Sequence, residues 1–305
     1  MSKKYRLEKS GSINVIGTTL YRIKALCSFS NVKKGDLGGY VESASNLSQD
    51  DDCWVYDNAR VYGNAKVYGT ARVFDDAEVY GNARVCDDAK VFGEAKVFGD
   101  CWVCGEAKVY GEAKVCGEAK VCDDAKVFGE ARVYGDCWVY DNAKVCGEAK
   151  VFADAKVYGN ARVYGDCWVF DDAAVYGNAK VFGEAKVYGN ARVFDDCWVC
   201  GNARVCGEAK VFGEAKVFDD AEVYGNAEVC GNARVYGCDT CSKRVYFLQL
   251  TRDSITVTDN HVNIGCEQHC LDFWLSNYKE VGKKYIYTKK EIKQYGIALQ
   301  LIKEL

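Results

Sequence analysis

The stretch DCWVYDNARVYGNAKVYG, residues 52–69, repeats one six-residue pattern and decides the fold. Valine recurs at every sixth position, as Val55, Val61 and Val67, and alanine precedes the last two by two residues. The period runs without insertion or deletion through 31 hexads, from Cys53 to Cys238. Position three is valine in all 31 hexads, and position one is alanine in 26 and cysteine in five.

The other positions of the hexad are polar, aromatic or turn-forming. Position two is Lys or Arg in 22 hexads, position four is Tyr, Phe or Cys, and position five is Gly in 22. Six residues advance about 240° around an α-helix, so the valines would not share one helical face. Alternating inward and outward side chains fit a short strand, and Gly, Asn and Asp tolerate the left-handed backbone of a sharp corner. Each hexad therefore predicts one short strand and one corner.

Three hexads close a triangular coil of 18 residues, with valine and alanine inside and backbone groups bonded to the coils above and below. The predicted fold class is an all-β solenoid, a parallel β-helix of about ten coils stacked at about 4.8 Å into a rod of about 50 Å. Residues 18 apart should then lie one above the other on a face. One such row holds Cys86, Cys104, Cys122, Tyr140, Tyr158, Tyr176, Phe194 and Phe212.

Two features of the outer surface invite a functional interpretation. The run of three cysteines in that row could be a disulfide or metal ladder, but Cys interchanges with Tyr and Phe at position four, which favours a half-exposed apolar filler. The five Cys-Trp dipeptides begin at residues 53, 101, 137, 167 and 197, and these spacings are not all multiples of 18. The tryptophans should therefore be scattered over the three faces rather than form one binding stripe.

Both ends depart from the repeat and divide the chain into three regions. Residues 1–52 predict an N-terminal cap with an atypical first coil, residues 53–238 the hexapeptide-repeat β-helix, and residues 239–305 a small α+β module. In that module, segments 244–250, 254–258 and 261–265 predict strands. A first helix would place Leu271, Trp274, Leu275 and Tyr278 on one stripe, and a second would begin with a capping box at Thr288 and Glu291.

Composition excludes several classes of protein. The net charge of −4 gives no reason to expect a nucleic acid or a membrane surface as partner. The N-terminus lacks the apolar run of a secretory signal, and no run of 18 apolar residues occurs, so we expect a protein of the bacterial cytoplasm. The 18 cysteines should then be mostly reduced thiols.

Catalytic and metal-binding chemistry is concentrated after the repeat. No histidine precedes His261, so the uninterrupted hexads can assemble neither a general base nor an open zinc site. Cys238, Cys241, Cys266 and His269 have spacing compatible with a structural zinc site, which is the one cofactor that we consider. The alternative is that Cys238 is the last corner of the repeat and that Cys266 and His269 pack and hydrogen-bond beneath a helix.

Both ends of the chain resemble known repeat proteins. The segments KYRL (4–7), FSNVKKGDLGGYVES (29–43) and NLSQDDDCWVYDNARVYGNA (46–65) resemble bacterial hexapeptide-repeat proteins of the YdcK type, labelled transferases without a demonstrated reaction. The segment ITVTDNHVNIGCEQHCLDFW (255–274) resembles the tail of prophage-encoded repeat proteins, with Cys266, His269 and Trp274 matching. The resemblance implies a left-handed coil and a phage or prophage setting, and it supplies no activity.

Two classes of function stay open. The favoured hypothesis is a rigid, non-enzymatic scaffold or binding protein that acts through protein–protein contacts. The alternative is a hexapeptide-type acyltransferase that uses His261 or His269 at a subunit interface. Apolar stripes favour association, so the Tyr and Phe rows also suggest a homo-oligomer formed through these faces.

Overall fold

The chain forms two compact units, Met1–Gly177 and Asn178–Leu305, and the computed structural model describes residues 3–304. Each unit contains a parallel β-solenoid, and the second also contains a small antiparallel sheet and two helices. The predicted fold class is therefore confirmed. The left hand of the coil, which rests on the resemblance, stays a prediction.

The first unit begins with an antiparallel hairpin and continues into short parallel strands, one for each hexad. Each short strand contains positions two and three of its hexad, because the corner that follows breaks the extended backbone. The strands are β1 (Tyr5–Val15), β2 (Thr18–Ala25), β3 (Leu37–Val41), β4 (Trp54–Val55), β5 (Arg60–Val61), β6 (Lys66–Val67), β7 (Arg72–Val73), β8 (Glu78–Val79), β9 (Arg84–Val85), β10 (Lys90–Val91), β11 (Lys96–Val97), β12 (Trp102–Val103), β13 (Lys108–Val109), β14 (Lys114–Gly117), β15 (Lys120–Val121), β16 (Lys126–Val127), β17 (Arg132–Gly135), β18 (Trp138–Val139), β19 (Lys144–Cys146), β20 (Lys150–Phe152), β21 (Lys156–Val157), β22 (Arg162–Gly165), β23 (Trp168–Val169) and β24 (Ala174–Val175).

Strand pairing in this unit has a constant register of 18 residues. Val91 of β10 pairs with Val109 of β13, and Val103 of β12 pairs with Val121 of β15. Within residues 54–175 each of the three faces carries seven such rungs, and within residues 180–241 of the second unit each face carries three or four. The valines and alanines of the hexads are buried, as is Cys137 at position one. Each buried valine contributes about 1.5–3 kcal/mol of hydrophobic free energy.

The corners use a left-handed backbone at position five. Gly111 has a φ of 72°, and Asp75 occupies the same position of its own hexad with a φ of 61°. Asp75 gains a contact that glycine lacks, because its Oδ2 accepts the N–H of Gly93, one coil further, at 2.9 Å. This bond explains why aspartate alternates with glycine at the corner.

The N-terminal end of the first unit is closed by residues outside the regular repeat. Strand β3 pairs in parallel with β5, and Leu47 forms a bridge with Val67. The side-chain amide of the buried Asn46 donates to two carbonyl oxygens of the next coil, each at 2.9 Å. Trp54 is covered by the edges of the Tyr5 and Phe29 rings. Polar bonds and aromatic packing together cover the open edge of the first coils.

The second unit continues the same hexad pattern and ends in a small module. Its solenoid strands are β25 (Lys180–Gly183), β26 (Lys186–Val187), β27 (Arg192–Val193), β28 (Trp198–Val199), β29 (Arg204–Val205), β30 (Lys210–Val211), β31 (Lys216–Val217), β32 (Glu222–Val223), β33 (Glu228–Val229), β34 (Arg234–Val235) and β35 (Thr240–Cys241). In β35, Cys241 pairs with Val223 and takes the inward position of valine. The parallel ladder thus runs three residues beyond the predicted limit at 238.

The module consists of a four-stranded antiparallel sheet and two helices. The sheet has the order β36 (Tyr246–Leu248), β37 (Ile255–Val257), β38 (Val262–Ile264) and β39 (Glu267–His269), and the helices are α1 (Leu271–Lys284) and α2 (Lys289–Lys303). Ile255, Val262, Trp274 and Leu299 form the core between sheet and helices. The predicted capping box at Thr288 is present. Strand β39 was not predicted, because its residues Glu-Gln-His have no apolar alternation.

Candidate functional site

The face of the module's sheet that points away from its helices carries polar side chains, which bond to the last coil of the second unit. Thr256 Oγ1 accepts the N–H of Arg234 at 3.2 Å, and Gln268 Nε2 donates to the carbonyl oxygen of Tyr236 at 2.8 Å. An open β edge leaves backbone donors and acceptors unpaired, and burying them without partners would cost free energy. These side chains provide the partners that a further coil would have supplied.

Asp239 is the centre of this polar interface. It takes the inward position that alanine holds in the regular hexads, and its side chain is completely buried. Thr258 Oγ1 donates to Oδ1 at 3.0 Å, His261 Nδ1 lies 2.8 Å from the same oxygen, and Asn263 Nδ2 donates to Oδ2 at 2.5 Å. A buried carboxylate requires such partners. Asp239 therefore ties strands β37 and β38 to the end of the solenoid.

One polar atom in this interface has no partner of its own. Asn263 is 3% exposed, and its Oδ1 is buried without a hydrogen bond from any residue in the described range 3–304. The orientation of the amide is set by Asp239, which can only accept hydrogen bonds when ionised and therefore takes the Nδ2 end. Asn263 also lines a cavity, although Oδ1 itself is shielded from solvent.

That cavity adjoins a second one, and the two share Arg234, Gln249 and Ser254. Their volumes are about 550 and 440 Å³, and we call them together the C-terminal groove. The remaining walls of the C-terminal groove include Trp198, Lys216, Arg252, Asn263, Tyr285 and Tyr287. The lining thus combines aromatic rings with cationic side chains and with the carboxylates of Asp196, Glu214, Asp253 and Glu267.

One wall of the C-terminal groove is fixed by a pair of tyrosines on Asp253. Tyr287 donates its hydroxyl proton to the Asp253 carboxylate, and the Tyr295 hydroxyl accepts the backbone N–H of Asp253 at 2.7 Å. Burial and the nearby Asp253 raise the pKa of Tyr287. The Arg252 guanidinium lies over the Tyr287 ring, 4.6 Å from its centroid, and donates to the Ile286 carbonyl oxygen at 3.0 Å. These contacts hold the wall in place before any ligand binds.

A second set of contacts surrounds Glu267. Its carboxylate accepts hydrogen bonds from Tyr285 at 2.6 Å and Lys284 at 2.9 Å, and lies 3.0 Å from His269 Nε2. These donors, Tyr285 foremost, lower the pKa of Glu267 to about 2. In return the Glu267 carboxylate raises the pKa of Tyr285 to about 12. His269 also stacks on Phe273 with ring centroids 3.8 Å apart.

The four residues of the predicted zinc site have separate environments. Cys241 is buried inside the last coil, and burial raises the pKa of its thiol. Cys238 and Cys266 are exposed, and the Cys266 thiol lies 3.6 Å from the Tyr285 hydroxyl, while His269 contacts Glu267. Across residues 3–304 no three His, Cys, Asp or Glu side chains are grouped so that they could hold a metal ion. The residues present do not fit a tetrahedral zinc site, and we derive no chemistry from one.

The four hexad tryptophans of the first unit lie on different faces, as predicted. Trp54 is in the sheet of β4, Trp102 and Trp138 are in the sheet of β12 and β18, and Trp168 is in the sheet of β23. Each exposed ring meets a cation of an adjacent rung, for example Lys120 at 4.3 Å from the centroid of Trp138. Each Trp thus replaces one cation in a row of Lys and Arg side chains, and the neighbouring cation is attracted to its ring. This is a structural role, and the sequence signal for it is a Trp at a position that otherwise holds Lys or Arg.

Stacking at position four is also as predicted. Tyr140, Tyr158 and Tyr176 stack with ring centroids 4.9 and 4.8 Å apart in the first unit. In the second unit Phe194 and Phe212 stack at 5.0 Å. Such parallel rings follow from the constant register of the rungs and need no functional explanation.

Comparisons with known proteins agree with the repeat. A family described as the YdcK beta solenoid repeat matches residues 55–69, 155–171 and 185–201. No curated protein matches the sequence. No helix within residues 3–304 is long and apolar enough to cross a membrane.

Proposed function

Because the chain is a YdcK-like β-solenoid repeat protein, we propose that it is a rigid, non-enzymatic binding protein whose partner protein docks in the C-terminal groove. The observation that carries the proposal is a preformed cavity lined by Trp, Tyr and Arg side chains. These three residue types dominate the binding free energy of protein interfaces. The hexads present repeated rows, whereas the groove is a single non-repeating surface.

The charges in the larger cavity of the groove favour an acidic segment of the partner. The two carboxylates of its larger cavity, Asp253 and Glu267, already accept hydrogen bonds from tyrosine hydroxyls and from Lys284. Arg234 and Arg252 line the same cavity. A guanidinium pairs with a carboxylate through two parallel hydrogen bonds. In the larger cavity the cations are thus available to a carboxylate of the partner, while Asp253 and Glu267 already have partners. Asp196 and Glu214 lie in the wall of the smaller cavity, so the acidic segment should enter the larger one.

The walls of the groove are ordered before binding. Hydrogen bonds hold Tyr287 and Tyr295 on Asp253, and Tyr285 on Glu267. Such ordered walls reduce the entropy lost on binding.

The test is a comparison of two charge-reversal variants of the full chain. The groove variant carries Arg234→Glu and Arg252→Glu, and the control carries Lys108→Glu and Lys126→Glu at outward positions of the first unit. A partner captured from host lysate by the wild-type protein is identified, purified and titrated against all three proteins. We expect the groove variant to lose binding and the control to keep it. Equal affinity of the two variants would rule out the groove as the docking surface.

The cellular setting belongs to the same proposal. The resemblance of the tail to prophage-encoded proteins supports a phage or prophage protein in the cytoplasm of a bacterial host, acting as a scaffold on a host factor. Localisation of a fluorescent fusion during phage induction would test this setting. A homo-oligomer through the Tyr and Phe rows is tested by light scattering of the concentrated protein.

The second candidate function is acyl transfer, and the Asp239–His261 pair is the observation that favours it. A histidine oriented by a buried carboxylate is the arrangement of a general base. His261 also lines a separate cavity of about 630 Å³ with Ser242 and Arg244. Release of coenzyme A from an acyl-CoA by the wild-type protein, lost in His261→Ala but not in His269→Ala, would support this function. Absence of turnover in the wild-type protein would eliminate it.

A further inference from the structure

Helix α2 carries apolar side chains on two opposite sides. On the inner side Tyr295, Leu299 and Ile302 are buried in the core of the module. On the outer side Ile297 and Leu301 are 55% and 60% exposed. These two residues are four positions apart, so they lie one above the other on one face of the helix. The module therefore leaves this apolar surface of α2 largely exposed to solvent.

Opposite charges stand at the two ends of this surface. Lys293 is four residues before Ile297, and Glu304 is three residues after Leu301. At 100° per residue all four lie within about 80° around the helix, and we call them the α2 stripe. Both charged residues are exposed, and no ion pair among residues 3–304 includes either of them. The two charges are thus available to a partner.

A depression lies beside the α2 stripe, where α1 approaches α2. A Cβ atom at Gly296 would lie 2.8 Å from atoms of the Tyr278 side chain, so this ring packs directly against the backbone of α2. The depression has a volume of about 470 Å³ and is bordered by the whole α2 stripe together with Tyr278, Gly296 and Gln300. It can accept an apolar side chain from a partner.

We propose that the α2 stripe is the contact surface of a homodimer in which α2 packs antiparallel against α2 of a second copy. A two-fold axis perpendicular to the helices then places Ile297 opposite the partner's Leu301 and Lys293 opposite the partner's Glu304. Both pairs are centred close to residue 299, so one axis satisfies them together. A surface that meets its own copy across a two-fold axis must be complementary to itself, and the α2 stripe meets this requirement in its charges and in its apolar residues.

The charges select the direction of the two helices. Parallel packing would place Lys293 against the partner's Lys293, and like charges in contact repel each other. Antiparallel packing also brings the N-terminal lysines of α2 near the C-terminal end of the partner's helix, where the helix dipole is negative. Glu291, the acidic residue of the first turn, is bonded to Thr288. Lys303 lies about 100° around the helix from Glu304 and so does not face the same contact.

The dimer is separate from the other contacts proposed for the chain. The α2 stripe lies on the side of α2 opposite to Tyr295, which lines the C-terminal groove, and it contains no residue of the Tyr and Phe rows of the hexads. Two apolar side chains from each copy make a small interface, so we expect association at high protein concentration. The proposal is therefore tested independently of the proposed function.

The experiment is sedimentation equilibrium of the full chain over a range of protein concentrations. Lys293→Glu and Glu304→Lys each place like charges opposite one another, and we expect each to weaken dimerisation roughly tenfold or more. An equimolar mixture of the two variants brings opposite charges together again, so it should form heterodimers with the affinity of the wild-type protein. Lys243→Glu, at an exposed lysine outside α2, is the matched control and should leave the affinity unchanged.

Both substituted side chains are exposed, so neither change should affect folding, and recovery in the mixture shows this directly. A wild-type protein that stays monomeric at every concentration would overturn the proposal. A dimer that persists in both single variants would place the contact elsewhere on the chain, for example on the Tyr and Phe rows, and would overturn it too. So would two variants that stay monomeric when mixed.

Discussion

Replacing Asp239 by alanine sets the repeat pattern against the tertiary contacts. Alanine is the residue that the regular hexads place at this inward position, so the repeat alone predicts that Asp239→Ala is neutral or stabilising. The structure predicts the opposite. The substitution removes the acceptor shared by Thr258, His261 and Asn263.

The size of the effect follows from the exposure of these three donors. Asn263 is 3% exposed and would be left with an unpaired amide, at a cost of about 1–3 kcal/mol. The His261 side chain is 21% exposed and can bond to water instead. Breaking its hydrogen bond to Asp239 therefore costs less, about 1 kcal/mol, and breaking the hydrogen bond from Thr258 costs about as much. Removing a buried carboxylate recovers part of its desolvation cost. We expect a net loss of about 2–4 kcal/mol in the free energy of opening the module.

Native-state hydrogen exchange is the suitable assay, because a repeat protein opens locally rather than in one transition. Amide exchange in β37 and β38 should accelerate roughly 30- to 900-fold, since each 1.36 kcal/mol corresponds to a factor of ten. Exchange in the hexads of the first unit should not change and serves as the internal control.

Asp239→Asn is the matched control, because it keeps the shape of the side chain and one acceptor oxygen. It should destabilise the module less than Asp239→Ala does. An Asp239→Ala protein with unchanged or slower exchange in β37 and β38 would refute the assigned role of the carboxylate.

Three further perturbations test the solenoid itself. Gly111→Ala should lower the free energy of unfolding by about 1–2 kcal/mol because the corner is left-handed. Gly111→Asp should lower it less, because its carboxylate can accept the N–H of Gly129. Equal denaturation midpoints of the two variants would contradict this reasoning. Burial raises the pKa of the Cys137 thiol to about 12 from 9.0. The contribution of the buried, protonated thiol to the free energy of unfolding is therefore complete below pH 9 and is lost as the pH rises toward 12. Circular dichroism should then show less alkaline destabilisation in Cys137→Ala than in the wild-type protein, and identical pH profiles would count against it. A chain ending at Cys241 exposes the last β edge and should associate end to end, seen as particle growth in light scattering; a monodisperse monomer would disprove the capping role of the module.

The repeat region could be predicted almost completely from sequence. Val91 pairs with Val109, and Cys86 lies beside Cys104, because a coil of constant length places the residue 18 positions later on the adjacent rung. Side-chain direction follows from strand alternation in the same way. Trp102 and Trp168 were predicted to lie on different faces because their separation in the sequence is not a multiple of 18.

The candidate site could be predicted only in part. The two helices and the capping box at Thr288 were visible as periodicity and spacing, but β39 had no apolar pattern to reveal it. The ligand spacing of Cys238, Cys241, Cys266 and His269 gave no information on the direction of each side chain. In the structure Cys241 points into the last coil, whereas Cys238 lies at an exposed corner. The two thiols of the C-x-x-C pair therefore do not face a common site.

The coil length, the buried valine rows, the left-handed corners and the stacking of like on like all follow from the hexad pattern. The burial of Asp239, the hydrogen bonds from tyrosines and Lys284 to Asp253 and Glu267, and the lack of a partner for Asn263 Oδ1 within residues 3–304 depend on tertiary contacts. The physical reason is the range of the contacts. In a solenoid each residue meets partners at one fixed separation, whereas the module packs residues whose separations follow no period.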